Sequence, residues 1–261
     1  MASCVAVRAL WAGPGAARVL AGAPAGGVVE LALHPGGYVR FGEDQWLLVA
    51  VPRAPRGPLT LIVAGLEAAP LRPGDEAVLD DGGLCIGALH IERTSTSYAI
   101  GRTTLRSPAP RWRVALAAAL AEVPPAPPAL APGLAALRRR ELPEAVLALA
   151  GRGEGLTPAG DDVLAGYAAW RQADDDPVVL APAAAERAAP PHAALALARC
   201  SPLGLAYLDC AQRGELAEPA HAVLRAVRAG DVDATRRRAR SLTRWGSSSG
   251  AAMLWGMAAA A

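Results

Sequence analysis

The feature that most restricts what this chain can fold into is a change of pattern near residue 110. Before it, short apolar runs alternate with turn residues. After it, Ala-, Leu- and Arg-rich stretches run to helical length. The early runs are Val28–Leu33, Tyr38–Phe41, Trp46–Val51, Leu59–Val63, Ala77–Leu79, Leu84–Ile91 and Ser97–Ile100. Turn sequences such as Pro35-Gly36-Gly37, Gly42-Glu43-Asp44 and Asp80-Asp81-Gly82-Gly83 separate them. Short strands at this spacing predict a small barrel or sandwich, with Asp81-Gly82 as a hairpin turn. From Trp112 the spacing predicts helices over Arg113–Ala121, Gly133–Glu141, Glu144–Ala150, Pro158–Gln172, Ala183–Ala188, His192–Arg199, Pro202–Arg213, Pro219–Ala229, Val232–Arg244 and Ser248–Ala260. The proline cluster Pro124–Pro132 is expected as a stiff connector. Several of these segments open on Pro and one stops before Gly230, as helix ends should. The expected fold is α+β, a small antiparallel β-barrel or sandwich over residues 1–110 followed by an all-helical domain over 111–261.

Composition narrows the chemistry. All 26 basic residues are Arg and the sequence has no Lys. Schiff-base lysine chemistry and the lysine of an ATP-binding P-loop are therefore excluded. The net charge is only +2, and the triplets Arg138–Arg140 and Arg236–Arg238 are too short for a nucleic-acid footprint. Cys4, Cys85, Cys200 and Cys210 form no CxxC pair, so neither zinc nor a disulfide framework is expected. The apolar stretch Ala9–Ala25 is interrupted by Gly13-Pro14-Gly15 and Arg18, which argues against a signal peptide. No run reaches the roughly 18 apolar residues of a membrane span. A cytoplasmic protein without membrane or nucleic-acid partners is the expectation.

Two glycine-containing segments stand out. The first is Gly151-Arg152-Gly153-Glu154-Gly155-Leu156-Thr157-Pro158-Ala159-Gly160-Asp161-Asp162, which enters a predicted helix. Thr157 is placed to cap it and Pro158 to begin it. The alternating glycines permit positive φ, and the free amides of a helix start favour an anion. Gly160 costs about 1 kcal/mol relative to Ala inside a helix, so a ligand or another backbone is expected to pack there. Asp161 and Asp162 are candidates for substrate orientation and, if the ligand is a phosphate, for holding Mg2+. The ordinary alternative is two acidic residues satisfying a helix dipole. The second segment, Trp245-Gly246-Ser247-Ser248-Ser249-Gly250, also feeds a helix, and its hydroxyls and amides suit a carboxylate or phosphate. Arg237, Arg240 and Arg244 lie near one face of the preceding helix, where Asp233 can pair with Arg237. A capped turn between helices is the plain alternative. The histidines are scattered without metal-ligand spacing, His34 in its Pro-Gly-Gly turn being the one to watch, and no serine has a histidine at motif spacing.

Together, Gly-Leu-Thr-Pro-Ala-Gly-Asp-Asp (Gly155–Asp162) and Ser-Ser-Gly (Ser248–Gly250) resemble a bacterial family that includes a small subunit of oxamate carbamoyltransferase. The likeness covers about residues 145 to 258. In that family the second motif often has a His before Ser-Ser-Gly and an Asp two residues after it; here Ser247 and Ala252 stand at those places. The resemblance implies a subunit of a carbamoyl-transferring enzyme, in an assembly with other subunits that include an acyl-CoA-synthetase-like one. It implies a small anionic substrate held by Gly153, Gly155, Thr157, Gly160, Ser248, Ser249 and Gly250, with Asp161 and Asp162 as the catalytic pair. A non-catalytic ligand-sensing or scaffold subunit is the alternative, and a structural protein whose glycines serve helix packing is a third.

Overall fold

The structure, a computed structural model, describes residues 5–22, 25–92, 111–176 and 197–261. The chain divides into two compact units, residues 1–101 and 102–261. The predicted strand Ser97–Ile100, the predicted helix Ala183–Ala188 and most of His192–Arg199 lie outside the described residues.

In the first unit, eight strands close into a barrel in the order β1-β5-β4-β3-β2-β6-β7-β8. They are β1 (Val5–Ala12), β2 (Ala25–Leu33), β3 (Gly36–Phe41), β4 (Gln45–Ala50), β5 (Thr60–Ala64), β6 (Glu76–Asp80), β7 (Gly83–Ile86) and β8 (Leu89–Glu92). Alternation sends one face of each strand inward, as in β6, where Ala77 and Leu79 are buried between exposed Glu76, Val78 and Asp80. Val39, Phe41, Leu47, Leu61, Leu84 and Ile91 belong to the resulting core. The Asp81-Gly82 turn joins β6 to β7 as expected, and Asp80 Oδ1 accepts the amides of Gly82 (2.8 Å) and Gly83 (3.1 Å).

Three expectations are corrected here. The barrel is not wholly antiparallel, because β1 pairs with β8 and β4 with β5 in parallel. Leu84–Ile91 is two strands, folded back at Gly87, whose φ of 54° suits a residue without a Cβ. Finally, β1 and the short helix α1 (Pro14–Leu20) occupy the apolar N-terminal stretch that carried no strand in the sequence pattern. Alanine at 6, 9 and 12, on exposed and buried positions alike, blurs the two-residue period there.

The second unit contains α2 (Trp112–Leu120), α3 (Ala131–Arg138), α4 (Leu142–Leu149), α5 (Ala159–Ala173), α6 (Pro202–Gln212), α7 (Glu218–Ala229), α8 (Val232–Thr243) and α9 (Ser249–Ala260). The proline connector is shorter than expected, since α3 already starts at Ala131. Pro143 sits in the first turn of α4 rather than before it, where its missing N–H costs nothing. On α7, His221 is a core residue: its Nε2 accepts the amide of Leu216 at 3.3 Å. Burial pushes it down to about 4, with Arg225 adding to the effect, so it is neutral at pH 7.

Helix α5 is buried along nearly all its length and crosses α9, which is apolar on every side. The crossing depends on two glycines. A Cβ on Gly166 would collide with the backbone of Met253, and one on Gly256 with the backbone of Val163. Each glycine lets the opposite helix approach to backbone contact.

Gly256→Ala is therefore expected to destabilise the chain by about 1–3 kcal/mol through overpacking. Gly26→Ala on β2, where a Cβ meets nothing within 4 Å, is expected to be near neutral. Urea unfolding of the two variants beside the parent checks both.

Candidate functional site

The glycine loop between α4 and α5 has the conformation its composition demands. Gly151, Gly153 and Gly155 have φ of 68°, 121° and 89°, a region that other residues rarely adopt. Gly151 is further required because the carbonyl of Arg199 fills the place of a Cβ. Around Gly155 that space is open, and residues 152–155 are exposed. Among the described residues no backbone carbonyl accepts the amides of residues 153–157.

Thr157 does not cap α5. Pro158 takes the capping position and Ala159 begins the helix. Proline fixes φ without needing a hydrogen bond, so the threonine hydroxyl is left for another use. It lies 3.1 Å from the Ser249 hydroxyl at the start of α9, across a sequence separation of 92 residues. The two sequence motifs thus meet in space.

The two aspartates at the start of α5 have different surroundings. Asp161 is 1% exposed, and both of its oxygens are occupied. Oδ1 accepts the amide of Gly151 at 2.7 Å and Oδ2 accepts that of Ser201 at 2.8 Å. Ser201 in turn caps α6 by accepting the amide of Gly204 at 2.9 Å, and its hydroxyl donates to the carbonyl of Leu156 at 2.6 Å. Ser201 stands at the N-cap of α6 with Pro202 as the first helical residue. Cys200, beside this carboxylate, has its thiol pushed up by burial and then by the charge of Asp161, so it is not a thiolate.

Asp162 is 5% exposed, and its Oδ2 has no hydrogen-bond partner. Burial raises its carboxyl to about 8, hydrogen bonding with Ser249 opposes that rise, the charge of Asp161 adds to it, and Thr157 opposes it more weakly. At neutral pH the group is largely a neutral acid. Desolvation wins over two hydroxyls because neither supplies a positive charge.

Other expected site residues have different positions. At Gly160 the space for a Cβ holds the carbonyl of Leu149, and at Gly250 it holds that of Leu242, so a neighbouring backbone fills both places. Of the two partners considered for Gly160, backbone is the one present. Ser248 precedes α9 without a side-chain cap bond, and Ser247 is exposed. Ala252 is fully buried in the helical core. Trp245 holds the second loop by an edge contact with Tyr207 of α6, ring centres 6.1 Å apart. Of the arginines on α8, Arg240 donates to Glu122 at 2.6 Å, where the hydrogen bond also holds the Glu122 carboxyl low. Each oxygen of Asp161 thus already serves a backbone amide, while Oδ2 of Asp162 serves no partner. Among the described residues no group of three His, Cys, Asp or Glu side chains could hold a metal. Sequence reasoning missed Ser201 and Cys200 as neighbours of the site; Ser-Pro before a helix was visible only as a cap.

This geometry defines a class: a helical unit in which a glycine loop and a serine loop meet at a buried carboxyl. Residues 149–261, less than half of the chain, match the family model described as oxamate carbamoyltransferase subunit AllH, which bears out the resemblance read from the two motifs. The barrel unit lies outside that match. No curated protein and no solved structure matches the chain. Among the described residues no helix is long and apolar enough to cross a membrane.

The pH dependence of stability follows from Asp162. Its folded value of about 8 exceeds the reference 3.8, so the folded chain keeps a proton that the unfolded chain has released. This contribution is full below about pH 3.8, is lost as pH rises toward 8 and is constant above it. Asp162→Asn removes the titration. Its advantage in thermal stability over the parent is expected to widen by up to about 1.4 kcal/mol per pH unit within that window. Melting curves of both proteins between pH 4 and 9 provide the measurement.

Proposed function

We propose that the chain is a subunit of a carbamoyl-transferring enzyme and that its helical unit seats a small carboxylate or phosphate beneath residues 153–157. The observation that carries this reading is the meeting of the Thr157 and Ser249 hydroxyls, from distant segments, beside a buried Asp162 with an unpartnered oxygen. The family match over residues 149–261 supports the reaction class. Carbamoyl transfer develops negative charge on oxygen, and fixed hydroxyl and amide donors stabilise such charge without reorganising. Gly155 leaves the loop backbone open to the ligand, Gly153 lets the loop pass close against the start of α5, and Ser248 and Ser249 close the site from the α9 side.

In this reading Asp161 is a positioning residue that ties the loop to α6, and Asp162 backs the two hydroxyls that face the ligand. Magnesium belongs to the reading only as the companion of a phosphate ligand. Other subunits, including an acyl-CoA-synthetase-like one, complete the enzyme. A ligand-sensing or scaffold subunit is the second reading, and the observation in its favour is specific. Ser247 is exposed and Ala252 lies in the core, so the proton-transferring groups common in the family's second motif have no counterpart here.

A thermal-shift series with phosphate, carbamoyl phosphate, oxamate and oxalurate, each with and without Mg2+, tests the proposal. A site ligand at about 100 times its Kd is expected to add roughly 2.7 kcal/mol of stability. The shift should shrink in Ser249→Ala and Thr157→Val and persist in Gly26→Ala. Equal shifts in all variants would place binding elsewhere and overturn the site. Binding without carbamoyl transfer in the assembled complex would favour the second reading.

A further inference from the structure

The Thr157–Ser249–Asp162 cluster poses a proton-counting problem, and its solution goes to how the anion site is controlled. This inference rests on the anion-binding reading above. Each hydroxyl has one proton and can accept, whereas an ionised carboxylate can only accept. The 3.1 Å contact between Thr157 Oγ1 and Ser249 Oγ uses one hydroxyl proton. If Asp162 is ionised, the other hydroxyl proton goes to its carboxylate, and the pair presents only lone pairs to a ligand. If Asp162 is a neutral acid, its own proton fills the carboxyl-to-hydroxyl position. One hydroxyl proton is then left to point outward.

We propose that Asp162 is a positioning residue whose proton turns the Thr157–Ser249 pair into an outward donor, so that the site accepts a small oxyanion only while that carboxyl is neutral. Thr157 and Ser249 are half-buried and hydrogen-bond with the Asp162 side chain, whose Oδ2 is unpartnered and out of reach of solvent. Contact with the ligand therefore falls to the hydroxyls, and the carboxyl acts through them. The surroundings keep the carboxyl neutral. On α5 itself the adjacent charge is the anionic Asp161. Helix α9 contributes Ser249 and no charged residue. On the α6 side stand Ser201 and the protonated Cys200, and the one carboxyl of that helix, Asp209, is paired with Arg213. Helix α4 contributes Glu144, and the loop contributes Arg152 and Glu154, both exposed. Binding moves no covalent bond; it orders one hydroxyl proton toward the anion.

Two measurements on the full chain test this. The first follows the Asp162 carboxyl carbon by 13C NMR without ligand, where a midpoint near 8 is expected. The second measures oxamate affinity by calorimetry between pH 6 and 9.5, a range in which the carboxylate of oxamate keeps its charge. The parent should lose affinity toward tenfold per pH unit above about 8. Asp162→Asn, whose amide N–H replaces the acid proton as donor, should bind oxamate with little pH dependence. A carboxyl midpoint below 5, a flat profile in the parent, or the same loss in Asp162→Asn would overturn the proton mechanism while leaving an anion site standing. Failure of oxamate and phosphate to bind at any pH, with the midpoint still near 8, would overturn the anion reading and this inference with it.

Discussion

The buried carboxylate of Asp161 is the interaction on which the helical unit's geometry depends. It accepts one amide from the Gly151 turn and another from Ser201 at the head of α6. A charged acceptor with both oxygens satisfied holds two backbone segments more firmly than neutral contacts would. Because Ser201 also bonds the Leu156 carbonyl, the whole span from Gly151 to Thr157 is anchored at both ends. The loop's middle residues are left exposed between those anchors. That division leaves fixed ends and an open centre.

Close approach of α5 and α9 supplies the other half of the site. Glycines at 166 and 256 let backbone meet backbone, and the crossing brings Ser249 beside Thr157. Asp162 is buried beside those two hydroxyls and stripped of water. A buried acid with an empty oxygen lowers stability, and proteins retain such groups where function needs them. Asp161 and Asp162 are neighbours in sequence and on one helix turn, yet one anchors backbone and the other stays neutral. The difference lies in what each meets: two amides for the first, two hydroxyls and a dry surrounding for the second.

The barrel is built on different terms. Its core comes from alternating Val, Leu and Ile, and its closure relies on β1 lying between β5 and β8. A closed barrel leaves no strand edge exposed to pairing with another chain. The family match covers residues 149–261 and does not extend to this unit.

Much of this was legible in the sequence. Turn residues and two-residue alternation gave β2 to β6, and Pro or Gly at boundaries gave most of α2 to α9 within a few residues. The glycine loop was recognisable because three alternate glycines in an alanine-rich chain require a conformational reason. What could not be read was any relation between distant segments. Strand direction across β4–β5 and β1–β8 depends on the path of the chain through space, and local periodicity carries no record of it. Thr157 was read as a cap because capping is a local rule, whereas its hydroxyl instead meets a serine 92 residues away. Residue type by itself determined that this chain would present amides, hydroxyls and carboxyls at two helix starts. Only the tertiary structure decided that Asp162 keeps its proton, since charge in a protein interior is set by desolvation and by neighbours that packing alone brings together.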